Sequence, residues 1–322
     1  MPPRSLRCSH RTERSADGRV SSAATPPARD PARPRAGSPA TPPARDPARP
    51  RAGSVALVTE KTPVAPRWGL VDAFAGGVLF LLLSSVAQLI ARTPEVALQP
   101  GLSYAINQVL GGWLPFVVVV LVASYLRGRR SLSADFGLRF RLLDIAIGVL
   151  CGILLRFVAL GLAELVRLVA GAPATPFTGG VGSDPVWFVL TAVVAASLIT
   201  PVVEELYFRG LLLRSIRNAV LGQHDDGAVA ARLEVPEGRR RLASVVAVAG
   251  SALLFMLFHL DGVPESPAAV SRLITLFVFG LVLGSLALLT RRLGPSILTH
   301  VVFNLSVAVL DIAAGASGPA LG

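Results

Sequence analysis

Hydrophobic and polar positions divide this chain sharply at about residue 67. Before it, apolar residues are scattered among Pro, Arg, Ala and Ser. After it, apolar runs recur at lengths suited to a bilayer, which needs about 20 residues per helical span. Seven spans are predicted: Val71–Ala91, Ala105–Leu126, Leu143–Ala170, Val186–Leu213, Leu242–Leu260, Leu273–Thr290 and Ser296–Ala314. The fold class expected is therefore all-α, a polytopic membrane helix bundle over residues 68–322. Between spans, positive charge alternates. Arg127, Arg129, Arg130, Arg139 and Arg141 follow the second span, Arg214 to Arg241 contribute six arginines after the fourth, and Arg291 and Arg292 follow the sixth. The intervening loops hold little: Arg92 and Glu95, then Asp184, then Asp261, Glu265 and Arg272. This alternation predicts a cytoplasmic N-terminus and a short C-terminus outside. An eighth helix fits only if it is re-entrant or interfacial.

Residues 1–67 read as a disordered basic tail. Ala24 to Ser38 is repeated letter for letter from Ala40 to Ser54. The tail carries 13 of 31 basic, 5 of 20 acidic and 13 of 25 proline residues. Its net charge of +8 leaves only +3 of the total +11 for the bundle. The high pI thus points to anionic lipid headgroups, not to nucleic acid. Translation beginning near Val55 is an alternative start. The tail has no apolar signal-peptide core, so the first span is expected to act as an uncleaved anchor in a bacterial-type plasma membrane. Mean hydropathy is +0.60, with 16% charged residues. The two cysteines, Cys8 and Cys151, imply no disulfide framework.

Against this background a few polar side chains stand out. Glu204 and Glu205 are adjacent in the fourth span, at a cost of roughly 2.5–3.5 kcal/mol each on insertion scales. Glu205 and Arg209 are four apart and can pair. That pairing leaves Glu204, about 100° around the helix, to face a cavity as a general base, and Pro201 upstream removes a helix hydrogen bond. Of four histidines, His10 and His224 fall in tail and loop, while His259 and His300 fall in apolar helices, with Asn304 one turn beyond His300. Arg156, Glu164 and Arg167 lie in the third span, where Glu164 and Arg167 are spaced to pair. Gly280 and Gly284 have a spacing that permits close helix contact.

Three segments carry a resemblance. Glu204-Glu205-x-x-x-Arg209, Phe255-x-x-x-His259 and His300-x-x-x-Asn304, with Phe208 and Gly210 flanking the first, resemble the CPBP family of intramembrane proteases, the CAAX-protease and bacteriocin-processing family. The motif region is 185–314. The resemblance implies peptide-bond cleavage in or near the membrane, with Glu204 and His259 activating water and His300 and Asn304 stabilising the oxyanion. Glu205 and Arg209 support the site. The partners implied are membrane lipid and a membrane-associated peptide or protein. No cofactor is favoured; the rival arrangement is a zinc held by Glu204, His259 and His300. The alternative function is a non-catalytic membrane protein, such as an immunity factor or peptide-binding scaffold. A proton-coupled transporter, in which Glu and His form a relay, is a further reading.

Helix arithmetic exposes one tension. Glu204 lies about 20 Å from Arg217, and His259 about 25 Å from Leu242, but His300 only about 7 Å from Pro295. For these residues to meet, the last helix must begin deep or its first turn must be buried.

Overall fold

The computed structural model of the protein describes residues 66–171, 185–222, 235–260 and 267–317. The duplicated tail, Cys8, His10, His224, Asp184, Asp261, Glu265 and the middle of the long polar loop lie outside these residues. Among the described residues there are nine helices and no strand. We label them α1 (Leu70–Ala91), α2 (Pro94–Ala97), α3 (Pro100–Arg127), α4 (Leu132–Phe136), α5 (Leu142–Ala170), α6 (Val186–Leu221), α7 (Glu237–Leu257), α8 (Pro267–Thr290) and α9 (Gly294–Ser317). Six are long and apolar enough to cross a membrane, and a shorter apolar stretch, Gly294–Leu310, opens α9. The seven apolar runs in the sequence thus each form one helix.

Apolar side chains cover the outside as well as the core. Phe74, Leu142, Val169 and Leu289 are 78–88% exposed, as expected where lipid is the solvent. Inside, α9 packs along α5, α7 lies between α8 and the end of α6, and α1 lies against α3. The α5–α9 contact is close because Gly148 and Gly152 face it. A β-carbon on Gly148 would stand 2.5 Å from Leu298 Cβ, and one on Gly152 2.8 Å from Val302 Cβ. This is the same small-residue spacing as Gly280 and Gly284.

The ionisable residues of α5 separate into two kinds. Glu164 and Arg167 pair at 2.5 Å near the helix end, each about half exposed. Arg156 turns inward instead. Its Nε donates to Ser306 Oγ at 2.7 Å, its Nη2 donates to the Phe303 carbonyl at 2.8 Å, and its guanidinium lies 4.1 Å from the Phe303 ring centroid. It ties α5 to the helix that carries His300 and Asn304.

Two carboxylates lock the basic end of the bundle. Asp135 accepts from Ser124 Oγ at 2.8 Å and from the Arg129 backbone at 3.0 Å. Asp144 accepts from Arg292 Nη2 at 2.5 Å and from the Arg141 backbone N–H at 2.8 Å. The Arg292 guanidinium is held above its ordinary pKa by that hydrogen bond. Beside it, the Leu293 and Gly294 N–H groups donate to the carbonyls of Gly137 and Arg139 at 2.8 and 3.1 Å. Leu293, Ser296 and Ile297 are 0–2% exposed. The first turn of α9 is therefore buried under the α4–α5 connection, and this resolves the depth mismatch at His300.

Candidate active site

Helix α6 is not uniformly wound. Thr200–Glu205 is α-helical, but Val189–Ile199 before it and Leu206–Leu212 after it are π-helical. Wider windings of this kind gather at functional sites because they re-aim side chains within a helix. Pro201 occupies the first turn of the α-helical segment, where a missing N–H is best tolerated. Thr200 Oγ1 caps the Ala195 carbonyl at 2.9 Å. The next turn carries the two acids in different directions.

Glu205 and Arg209 are both fully buried, with Arg209 Nη1 donating to Glu205 Oε1 at 2.7 Å. The guanidinium also lies 4.5 Å from the Phe255 ring centroid. A buried pair of this kind needs further partners to offset desolvation. The same Glu205 oxygen meets His300 Nδ1 at 3.1 Å. That oxygen already accepts from Arg209, so the imidazole nitrogen is assigned the proton and donates it to the carboxyl group. His300 Nε2 then turns a lone pair towards Glu204, 3.7 Å from its Oε2.

Helix α7 ends just before the second imidazole, with the chain leaving the helix at Phe258. His259 Nδ1 contacts the Phe255 carbonyl at 2.7 Å. A carbonyl accepts only, so this nitrogen also carries the proton. His259 Nε2 lies 3.8 Å from Glu204 Oε1. The two imidazoles thus hold one carboxylate between them, each fixed from behind by a hydrogen bond at Nδ1. At 3.7–3.8 Å these pairs are too long for direct hydrogen bonds but close enough to share one water.

Glu204 and His259 both line a cavity of about 200 Å³ that also touches Phe208 and Phe258. Its lining also includes the carboxamides Gln88, from α1, and Asn107 and Gln108, from α3. Each of these carboxamides interrupts an apolar run, which is a signal visible in the chain itself.

Glu204, Glu205, Arg209, His259 and His300 are therefore brought together. Asn304 sits one turn farther along α9, where its Nδ2 donates to the Ala196 carbonyl of α6 at 2.8 Å. It is not among the residues lining the cavity.

Glu204, His259 and His300 are spaced slightly wider than a tetrahedral zinc would hold them. Tetrahedral zinc with bonds of about 2.0–2.1 Å would draw its ligand atoms to roughly 3.4 Å of one another. Here the separations are 3.7 and 3.8 Å, and among the described residues no three His, Cys, Asp or Glu side chains are grouped as ligands.

Comparison with known proteins bears on residues 185–306, which match the model of the family described as type II CAAX prenyl endopeptidase Rce1-like. No curated protein and no solved structure matches the chain. The matched segment holds all three motifs, supports a protease, and together with the apolar helices marks an integral, multi-pass membrane protein. Over residues 185–306 the chain is thus similar to the family described as type II CAAX prenyl endopeptidase Rce1-like.

Proposed function

We propose that the protein is an intramembrane endopeptidase that hydrolyses a peptide bond of a membrane-associated substrate with water activated by Glu204 and His259. The observation that carries this reading is the Glu204 carboxylate held 3.7 and 3.8 Å from two imidazole nitrogens at the wall of a cavity.

A water held by Glu204 and His259 Nε2 gives one proton to Glu204 as its oxygen attacks the scissile carbonyl. General base action of this kind typically contributes about 100–10,000-fold. His300 is the next acceptor for that proton. Its imidazolium is stabilised from behind by Glu205, and Nε2–H then faces the developing oxyanion. Asn304, on the same helix, is the second donor in this scheme. As the tetrahedral intermediate collapses, the proton passes to the leaving nitrogen and the C–N bond breaks, giving a carboxylic acid and an amine; the proton left on the acid then passes to the amine, so that a carboxylate and an ammonium group result. Every proton is accounted for within the protein and the water.

The substrate classes compatible with the family match are CAAX-type C-termini, peptide bacteriocins and anchored regulators. The arginine-rich loops support a cytoplasmic N-terminus in a bacterial-type plasma membrane. Arg127, Arg139, Arg141 and Arg292 all flank the basic end of the bundle.

The test is cleavage of a membrane peptide by purified protein and by Glu204→Gln. Wild type is expected to cleave, and the variant to lose at least about 100-fold in rate while remaining folded. Retained cleavage excludes Glu204 as the base. A biological phenotype with no proteolysis by wild type would support a scaffold instead.

A further inference from the structure

The peptidase reading accounts for Glu204 and His259 but not for the carboxamides that line the same cavity. Asn107 and Gln108 lie on the π-helical stretch Asn107–Trp113 of α3, and both line the cavity that holds the two catalytic candidates. Among the lining residues, Glu204 and His259 are the only ionisable ones.

The orientation of both amides follows from their partners. Thr200 Oγ1 donates to the Ala195 carbonyl at 2.9 Å. Its single proton is thereby used, so whatever else approaches that oxygen must donate. Trp113 Nε1 does so at 2.9 Å, and Gln108 does so at 2.9 Å. The Gln108 NH₂ limb therefore faces Thr200, and its Oε1 limb turns the other way. Asn107 Nδ2 donates to the Ser103 carbonyl at 2.9 Å, which turns Oδ1 away from its own helix backbone. Two neighbouring carboxamides thus each commit a donor to the protein and are held with a carbonyl on the opposite limb.

A peptide cut inside a membrane must be extended at the scissile bond. Its main-chain N–H groups then lose their helical partners where no lipid atom replaces them. Acceptors without charge answer this need, and a wall that offers no other ion excludes charged side chains by desolvation.

We propose that Gln108 Oε1 and Asn107 Oδ1 form a subsite that accepts the main-chain N–H groups of an extended, uncharged substrate segment beside the scissile bond. The proposal names the substrate features read by this cavity and rests on the peptidase reading above. The Thr200–Trp113 network fixes Gln108 against α6, where Thr200 lies four residues before Glu204.

The test is binding, so that it stands apart from cleavage. Full-length Glu204→Gln protein in nanodiscs is titrated with a fluorescent uncharged peptide of about ten residues. A series in which each amide in turn is replaced by an ester, which removes one N–H, is titrated in parallel. One or two positions are expected to lose about tenfold in affinity, the effect of one ordinary hydrogen bond to a buried acceptor. In Glu204→Gln/Gln108→Leu the parent peptide is expected to bind about tenfold more weakly, and the ester at one of those positions to cost nothing more. Asn107→Ala in the same background repeats the test at the neighbouring acceptor if the Gln108 variant fails to accumulate. Equal ester penalties with and without the carboxamides overturn the subsite, as does failure of the parent peptide to bind. Cleavage of the parent peptide by wild type is measured separately. Absent cleavage with the binding pattern intact would defeat the hydrolase and leave the subsite standing.

Discussion

His300 Nδ1 lies 3.1 Å from Glu205 Oε1, the same oxygen that accepts from Arg209 Nη1 at 2.7 Å. One carboxylate oxygen thus fixes both a buried cation and an imidazole of the candidate site. Removing one partner of a buried ion pair costs about 3–5 kcal/mol, because the other is left uncompensated. Glu205→Gln is therefore expected to lower the unfolding midpoint of the solubilised protein sharply. Glu205→Leu combined with Arg209→Met is expected to recover much of that loss while leaving cleavage impaired, since His300 is no longer oriented. Thermal unfolding in detergent and a cleavage assay, run on the same preparations, separate the two effects.

Asn304 offers a sharper division between roles. If it donates to the oxyanion, Asn304→Ala should lose about 100–1000-fold in kcat. If it serves only as a strut to the Ala196 carbonyl, the loss is one hydrogen bond, about 1 kcal/mol of stability. The expected outcome is a large fall in kcat with a small fall in unfolding midpoint. A stability change alone would remove Asn304 from the chemistry.

The two glycines on α8 should respond differently to the same substitution. A β-carbon at Gly280 would meet Ala252 Cα at 2.8 Å, a backbone atom that cannot turn aside. At Gly284 the nearest atom is Leu213 Cδ1 at 3.2 Å, the end of a flexible side chain. Gly280→Ala is expected to cost about 1–3 kcal/mol by separating α7 from α8. Gly284→Ala is expected to be close to neutral. Unfolding midpoints of the two variants check the ordering, and the reverse order would contradict the packing.

Arg156 is expected to matter through α9 rather than through the cavity. Arg156→Met keeps the bulk but loses the bonds to Ser306 and the Phe303 carbonyl. The Phe303 ring packs 4.7 Å from that of Phe279, and Phe279 packs 4.8 Å from His300. A loss of roughly 1–3 kcal/mol in stability and faster amide exchange along residues 300–306 are expected. Hydrogen exchange on the two proteins measures both.

Much of this arrangement was legible in the chain. Span lengths, the acid pair and the two imidazoles follow from hydropathy and from the cost of ionisable groups in lipid, which makes each exception informative. Helix rise alone flagged that His300 began too near its helix start. What it lacked was the partner, since Leu293 and Gly294 bond to carbonyls more than 150 residues earlier. Arg156 was visible as an exception, but its partners are 147 and 150 residues away. Gly148 and Gly152 repeat a spacing that was read at Gly280 and Gly284 and missed on α5. The π-helical segments left no mark in composition at all, because a one-residue change in hydrogen-bond register needs no particular side chain.

That register has a genetic corollary. Each wide winding in α3 and α6 behaves as one residue more than an ordinary helix would hold over the same rise. Deleting a single amino acid between Asn107 and Trp113 would let α3 tighten to standard winding without shortening its span appreciably. The flanking turns would keep nearly their present orientation, but the wide winding that carries Asn107 and Gln108 would be lost. A deletion here, tolerated by length and hydropathy alike, would act only on the local placement of those two carboxamides.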